Sequence, residues 1–509
     1  MTIPRPAPGD RRVHPPGPTD PPDPPDLAAP RATAAGFPRG HGRTTRPAAA
    51  VVAAGLLAVA LVGVFARLPT AAAFWLAALW LVWAGGLAWA LTRRPVSLAF
   101  TVLAGWQFVY LVIGATTATF AGQTEIGSWV FREGVTPGVR MVAVCFAAVW
   151  AGAAALHLVG HGRPHGTRPA GARPAPVPRP VGLTARRLDR WAAALVVVGA
   201  VSLVLYVRLA GASLADLNVI GGSAVYGDLG RAGEGAAVKY FKTMNELAGV
   251  ALVLLAYRFV VVSRRHWARP VLIGVVAAGM LIMSGGRAWL FVPALAAGLV
   301  VWRCSSARWT RQPRRWLVLA GAAAFVLAAF VGGVRGQSGD RQLDTDALAA
   351  KEVIGIFPPT AGLAETMPRQ MDHLGPASYL ELVALPVPRA LWPDKPDTVL
   401  GDVQLAIFGK GIGASFGFHG ELYVAFGMLG VVLGSFLFGL VYEAAWRALV
   451  RARRLDAVLL LSVALAVLLQ IFSRGYVAGQ LAGQFGLVLG TVIVAVLLRR
   501  GGPAPADPS

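Results

Sequence analysis

The sequence predicts an all-α polytopic membrane protein with about twelve transmembrane helices. Three observations carry this. Of 509 residues, 56% are hydrophobic and only 14% charged; the mean hydropathy is +0.59; and the apolar runs approach or exceed the roughly 20 residues that span a hydrocarbon core.

The net charge of +22 would point to nucleic acid in a soluble protein. Here most arginines sit between apolar runs, where the positive-inside rule accounts for them, so no nucleic-acid partner is expected. Arginine exceeds lysine, and alanine and glycine abound, as in a GC-rich bacterial genome. Cys145 lies in an apolar run and Cys304 among arginines at the end of another, so a disulfide is not expected.

Residues 1–46, with PPGPTDPPDPPD at their centre, are Pro-rich and poor in large apolar side chains. They cannot bury a core and read as a disordered cytoplasmic tail, too long and proline-rich for the n-region of a cleaved signal peptide. The helical domain is 47–498, followed by a cytoplasmic tail, 499–509. Within it apolar runs fall near 47–66, 71–92, 96–117, 138–159, 191–210, 243–262, 270–284, 287–302, 316–334, 418–441, 456–472 and 478–498. With both termini inside, the dense clusters Arg93-Arg94, RRHWAR, RCSSARWTRQPRR, RALVRARR and Arg499-Arg500 are cytoplasmic.

That topology leaves outer loops at 118–137, 211–242 and 335–417, the last between spans 9 and 10. It is long for an idle connector. DTDALAAKEVIGIF within it can form a short helix, while FPPT, LPVPRALWPDKPDT and GKGIGASFG read as loop. No period of 20 to 50 residues repeats.

Polar residues in or beside spans are the candidate site. An arginine at mid-bilayer costs several kcal/mol unless it meets a partner, an interface or a water-filled cavity. Arg287, in MLIMSGGRAWLFVP, joins two short spans on the outer side. Its neighbouring glycines would let an anion approach the N-terminus of span 8, which makes a phosphate site; snorkelling to outer headgroups is the other reading. Arg335 and Arg341 after span 9, His419 and Glu421 at the start of span 10 in GFHGELYVAFG, and Arg474 in IFSRGYV fall on the same side. Arginines there suit a lipid-linked pyrophosphate and serve equally as headgroup anchors; a His or Glu can take a proton from a sugar hydroxyl. Glu246 enters the first turns of span 6, as a functional carboxylate or as a stabiliser of the helix N-terminus. Arg231, Lys239 and Lys242 in the second outer loop attract an anionic lipid or are merely solvated. Walker-type loop, HExxH, paired CxxC and GxSxG are all absent; neither metal nor cofactor is expected. The loop ARLPT after span 1 has no carboxylate, unlike many lipid-sugar-dependent mannosyltransferases.

SGGRAWL, the long outer loop before the third-last span, and FHGELYVAFGMLGVVLGSFLFGLVY resemble the oligosaccharide repeat-unit polymerases, the Wzy-type O-antigen polymerases, mainly over 240–495. The resemblance implies a glycosyltransferase of the bacterial cytoplasmic membrane, acting at its outer face. A growing glycan on undecaprenyl pyrophosphate would be transferred to the non-reducing end of an incoming lipid-linked repeat unit, with membrane lipids and a chain-length regulator as partners. Arg287 matches the family's arginine after small residues, and His419-Gly420-Glu421 the polar opening of its late glycine-rich span. The arginine-x10-glycine spacing of some members has no match in the outer loops, since Arg389 and Gly401 are one residue too far apart. Arg287 and Arg474 are the expected pyrophosphate ligands, Arg335 and Arg341 weaker partners, and His419 or Glu421 the base, with His373 or Asp372 of the long loop as a third choice. A lipid-linked glycan ligase would share these residues; a flippase would use charged or broken helices along a central path.

Overall fold

The computed structural model describes residues 68–92, 97–120, 125–126, 129–130, 134–161, 183–209, 243–262, 266–283, 287–305, 357–377, 379–380 and 416–500, with isolated positions between them. Among these the chain is helical apart from a two-residue antiparallel ladder, β1 (Glu125–Ile126) and β2 (Trp129–Val130), with Glu125 opposite Val130. The helices are α1 (Thr70–Thr92), α2 (Leu98–Phe120, with a π turn at Phe108–Val112), α3 (Thr136–His161), α4 (Ala185–Leu209), α5 (Leu247–Tyr257, continued by a π turn at Arg258–Val262), α6 (Ala268–Met283), α7 (Arg287–Cys304), α8 (Phe357–Thr366), α9 (Gly417–Arg451), α10 (Leu455–Arg474), α11 (Val477–Gly483) and α12 (Phe485–Arg500).

Six of these, α1 to α4, α9 and α10, are long and apolar enough to cross a membrane; α11 and α12, bent by 56° at their junction, make a seventh if taken as one broken span. The chain is a multi-pass helical membrane protein. The apolar helices within α5, α6 and α7 are shorter. The Pro-rich tail, the runs near 47–66 and 316–334, and most of the long segment before α9 lie outside the described residues.

Packing follows membrane rules. Leu429, Leu433, Leu437 and Val441, four residues apart and 67%, 59%, 58% and 44% exposed, form one outward stripe on α9, the face lipid would cover. Its opposite face meets α3 backbone to backbone: a Cβ at Gly152 would overlap the Phe436 carbonyl, and one at Gly439 the Val149 carbonyl. Lipid supplies no hydrophobic drive between helices, so close approach through small residues does that work. Phe100, Trp150, Phe438, Tyr442 and Phe472 fill the core beside this contact, where Tyr442 Oη donates to the Ala99 carbonyl at 3.1 Å. Both cysteines are buried and free.

One end of the bundle is held by ion pairs. Arg258 meets Asp189 at 3.0 Å, Arg447 meets Glu443 at 2.7 Å, and Asp456 holds Arg454 and Arg499 at 3.1 and 2.5 Å. Arg303 donates to the carbonyls of Leu449 (3.1 Å) and Ala452, closing the α9–α10 turn. The arginines of this end are therefore structural partners.

The sequence predicts span 10 as one helix over 418–441; the structure corrects this. Gly427 has φ 64° and ψ −155°, breaking α9. Phe418 and Phe438 would be about 30 Å apart on a continuous helix, yet their ring centroids are 5.5 Å apart. A Cβ at Gly430 would lie 2.6 Å from the Leu422 carbonyl oxygen, and the Leu422 side chain lies against Gly434. The arm before Gly427 thus folds back along the arm after it, and 428–451 alone is long enough to span. The lost helical bonds are replaced from outside: Leu374 N–H donates to the Val424 carbonyl at 3.0 Å and Gly375 N–H to that of Ala425 at 2.9 Å. FPPT, read as loop, instead opens α8, with prolines in the first turn where a missing N–H costs nothing.

Candidate functional site

The reversal lays the arm that bears His419 and Glu421 back along the second arm of α9, inside the helix bundle. By helical rise, the level of Phe438 lies about 15 Å along the bundle from the turn, and Phe418 packs against it there. His419 and Glu421 are both fully buried. Where the first arm of α9 begins, it meets the end of α10. Gly475 (φ 65°) and Tyr476 (φ 54°) break the chain after Arg474, and a Cβ on Gly475 would overlap the Gly417 carbonyl oxygen. Two chain breaks thus touch through glycine backbone, with Arg474, half-buried, as the last residue of α10 beside them.

His419 Nε2 lies 3.0 Å from Thr360 Oγ1 of α8, and that hydroxyl donates to the Phe416 carbonyl at 3.4 Å. A hydroxyl with its proton so directed accepts from Nε2–H, which leaves the basic lone pair on Nδ1. Nδ1 is buried and has no hydrogen-bond partner among the described residues. The ring lies against Gly417: a Cβ there would come within 2.7 Å of Cε1 and 3.0 Å of Nδ1.

Two of the buried glutamates, Glu421 and Glu246, share one structural role. Both oxygens of Glu421 accept the Val477 N–H, at 3.2 and 3.0 Å, at the first residue of α11. Glu246 Oε2 accepts the Leu487 N–H of the first turn of α12 at 3.3 Å. The sequence placed Glu246 at the start of its own span, where it stands in the turn before α5, but the N-terminus it caps belongs to another helix. Each start of the broken final span exposes N–H groups and positive dipole, and a carboxylate from a neighbouring helix satisfies both. Gly486 packs against the Thr243 carbonyl so that this contact can form.

Met280 of α6 and Trp289 of α7 lie beside the same break. Asn245 Nδ2 donates to the Met280 carbonyl near the end of α6 at 3.3 Å. A Cβ on Gly483 of α11 would meet Trp289 at 3.0 Å, and Phe291 packs tilted against Trp106 with ring centroids 4.5 Å apart. Arg287 is the first residue of α7, two residues before Trp289; its side chain, like Arg335, Arg341, Arg231, Lys239 and Lys242, lies outside the described residues. The structure therefore places His419 and Glu421 on the arm of α9 that meets the end of α10, whose last residue is Arg474, and sets Glu246 at the neighbouring break. Among the described residues, no cluster of three or more His, Cys, Asp or Glu is arranged to hold a metal.

Sequence reasoning missed Thr360, Tyr379, Arg140 and Arg369. Arg140 and Arg369 lie within electrostatic reach of Tyr423, whose hydroxyl donates to the Met367 carbonyl at 2.9 Å. FPPT before a small apolar run carried the signal for α8, since proline is at home in a first turn. No family model, curated protein or solved structure matches this chain.

Proposed function

We propose that this chain polymerises polyprenyl-pyrophosphate-linked oligosaccharide repeat units into a surface polysaccharide, at the outer face of a bacterial cytoplasmic membrane, as its resemblance to the O-antigen polymerases implies. It does so with twelve spans and both termini cytoplasmic, the reversed arm of α9 reaching inward from the outer side. The observation that carries the reading is His419: a buried imidazole with its Nε2 committed to Thr360 and its Nδ1 lone pair uncommitted, beside an arginine at a break between helices.

In the reaction, the acceptor hydroxyl oxygen of the incoming repeat unit forms a bond to the anomeric carbon of the growing chain. The bond from that carbon to the pyrophosphate oxygen breaks, and undecaprenyl pyrophosphate leaves with the electron pair. His419 Nδ1 takes the hydroxyl proton. Arg474 and Arg287 hold the leaving pyrophosphate, with Arg335 and Arg341 as weaker partners, so the charge is met without a metal. Glu421, with both oxygens on Val477 N–H, serves as a cap, and the base role goes to His419.

A transporter reading has one observation in its favour, the 56° break between α11 and α12, since transporters build substrate sites from half-helix ends. Here the N-termini of both halves already hold carboxylates, which turns them away from an anionic lipid. The test is a host strain lacking the protein, complemented with wild type, His419→Gln or Arg474→Ala, with lipid-linked glycans sized and assigned to a membrane face. Single units on the outer face, restored to long chains by wild type and by neither variant, are expected. Single units trapped inside mean a flippase, and long chains left untransferred mean a ligase. Unchanged glycans overturn the reading altogether.

A further inference from the structure

The segment that closes the α9 reversal carries two packed side chains, each with one buried polar atom that has no hydrogen-bond partner among the described residues. Tyr379 lies stacked on Phe426, with centroids 6.0 Å apart and rings 6° from parallel. Its Oη is buried and has no hydrogen-bond partner among the described residues. His373 lies edge-on to Tyr423 at 5.4 Å, filling the space opposite Gly427, and its Nδ1 is likewise buried without a partner among the described residues. Both ride on the stretch that Leu374 and Gly375 tie by main-chain bonds to the arm bearing His419 and Glu421. A buried hydroxyl or imidazole nitrogen left unpaired is destabilising, and such a group in a native fold calls for an explanation.

We propose that Tyr379 and His373 form the acceptor subsite of the polymerase, binding hydroxyls of the incoming sugar and presenting one of them to His419. This rests on the polymerase reading. The ligand chemistry follows from charge. The Tyr379 hydroxyl is held in its neutral form, its pKa pushed up by burial and then by the negative charge of Glu421. A phenol and an imidazole near a carboxylate favour a neutral polyol that both donates and accepts, and they disfavour the pyrophosphate, which that carboxylate repels. Phe426 and Tyr423 add the apolar faces against which a sugar ring packs. The donor's pyrophosphate then lies on the Arg474 side of His419 and the acceptor on the Tyr379 side.

The test uses the full-length protein in lipid nanodiscs, extending a lipid-free repeat-unit oligosaccharide from a polyprenyl-pyrophosphate-linked donor, with wild type, Tyr379→Phe and His373→Phe. Removing one hydrogen bond to the acceptor raises its KM about tenfold while the donor KM stays unchanged, and the melting temperature of Tyr379→Phe stays level or rises because an unpaired buried hydroxyl is gone. An unchanged acceptor KM in Tyr379→Phe overturns the subsite. So does a lowered melting temperature with both KM values altered, which would make the hydroxyl structural. A wild type that extends no acceptor overturns the polymerase reading, and the subsite falls with it.

Discussion

Glu421 and Val477 are joined by a three-centre contact in which one backbone N–H meets both carboxylate oxygens, at 3.2 and 3.0 Å, across the meeting point of α9 and α11. The contact closes the start of a short helix that could not otherwise satisfy its first N–H inside a bundle. It also decides what Glu421 does. Glu421→Gln keeps an acceptor oxygen for Val477 and should retain the fold and most of the polymerising activity. Glu421→Ala strands the N–H and should cost about 1–3 kcal/mol, read as a lower melting temperature and reduced protein in the membrane. A Gln variant that folds as wild type but is inactive would return the base role to Glu421.

His419 and Thr360 make the complementary prediction. Thr360→Ser keeps the acceptor for Nε2–H and should behave as wild type. Thr360→Val removes it, frees the tautomer, and should lower turnover while leaving substrate KM unchanged. His419→Gln should lose about 10²–10⁴-fold, the range for a general base. Initial rates on the lipid-linked repeat unit, normalised to folded protein, check all three, and equal activity in Thr360→Val and wild type would sink the tautomer argument.

Much of this was legible in the sequence, and the part that was not has a definite cause. Apolar run length identified the helices around residues 70–161, 185–209 and 455–500, because hydropathy alone decides whether a segment belongs in lipid. The same measure is blind to direction. GFHGELYVAFGMLGVVLGSF is apolar on both sides of Gly427, so a run that goes in and turns back reads the same as one that goes through. The turn depends on a positive φ at one of several glycines, and on Leu374 and Gly375, some fifty residues earlier, donating to carbonyls the turn exposes. His419, Glu421 and Arg474 were singled out because polar groups among apolar runs are costly. Thr360 and Tyr379 were invisible, since a threonine or tyrosine in a loop is unremarkable until its partner is known. Glu246 was legible as important, though not as the cap of a helix 240 residues away.

Gly427 tests the reversal itself. At φ 64° an added Cβ is strained, and it would stand 2.9 Å from His373 Nε2. Gly427→Ala should cost about 1–3 kcal/mol of local strain and push the 371–376 segment off the turn. Gly434→Ala makes a useful contrast, because φ at Gly434 is ordinary and the atoms it would meet are the flexible end of Leu422. Labelling of Ala377→Cys by a membrane-impermeant maleimide should rise when Gly427→Ala is added and stay near the level of the parent when Gly434→Ala is added instead. Equal labelling in both would mean that the turn does not depend on Gly427.

The two ends of the bundle should respond oppositely to loss of charge. Asp456 is buried and holds Arg454 and Arg499, whose side chains are 66% and 57% exposed. Solvent screening of those arginines discounts the pairs well below the value of fully buried ones, so Asp456→Asn should cost about 1–2 kcal/mol, seen as a modest fall in melting temperature. Turnover per folded molecule should not change, because the ion-paired end takes no part in the chemistry. Arg474→Ala should do the reverse. Arg474 ends α10 at the break where His419 and Glu421 meet it, and its guanidinium is assigned to the pyrophosphate that leaves. Its loss should lower turnover by about 10²-fold or more, as for other groups that stabilise charge developing in a transition state, and Arg474→Lys should recover part of this, since a point charge replaces only part of a bidentate clamp. Running the Asp456 and Arg474 variants side by side through melting and turnover separates holding the bundle from acting on the substrate. An Arg474→Ala protein with full turnover would remove the pyrophosphate from this end of the bundle, and the proposed chemistry with it.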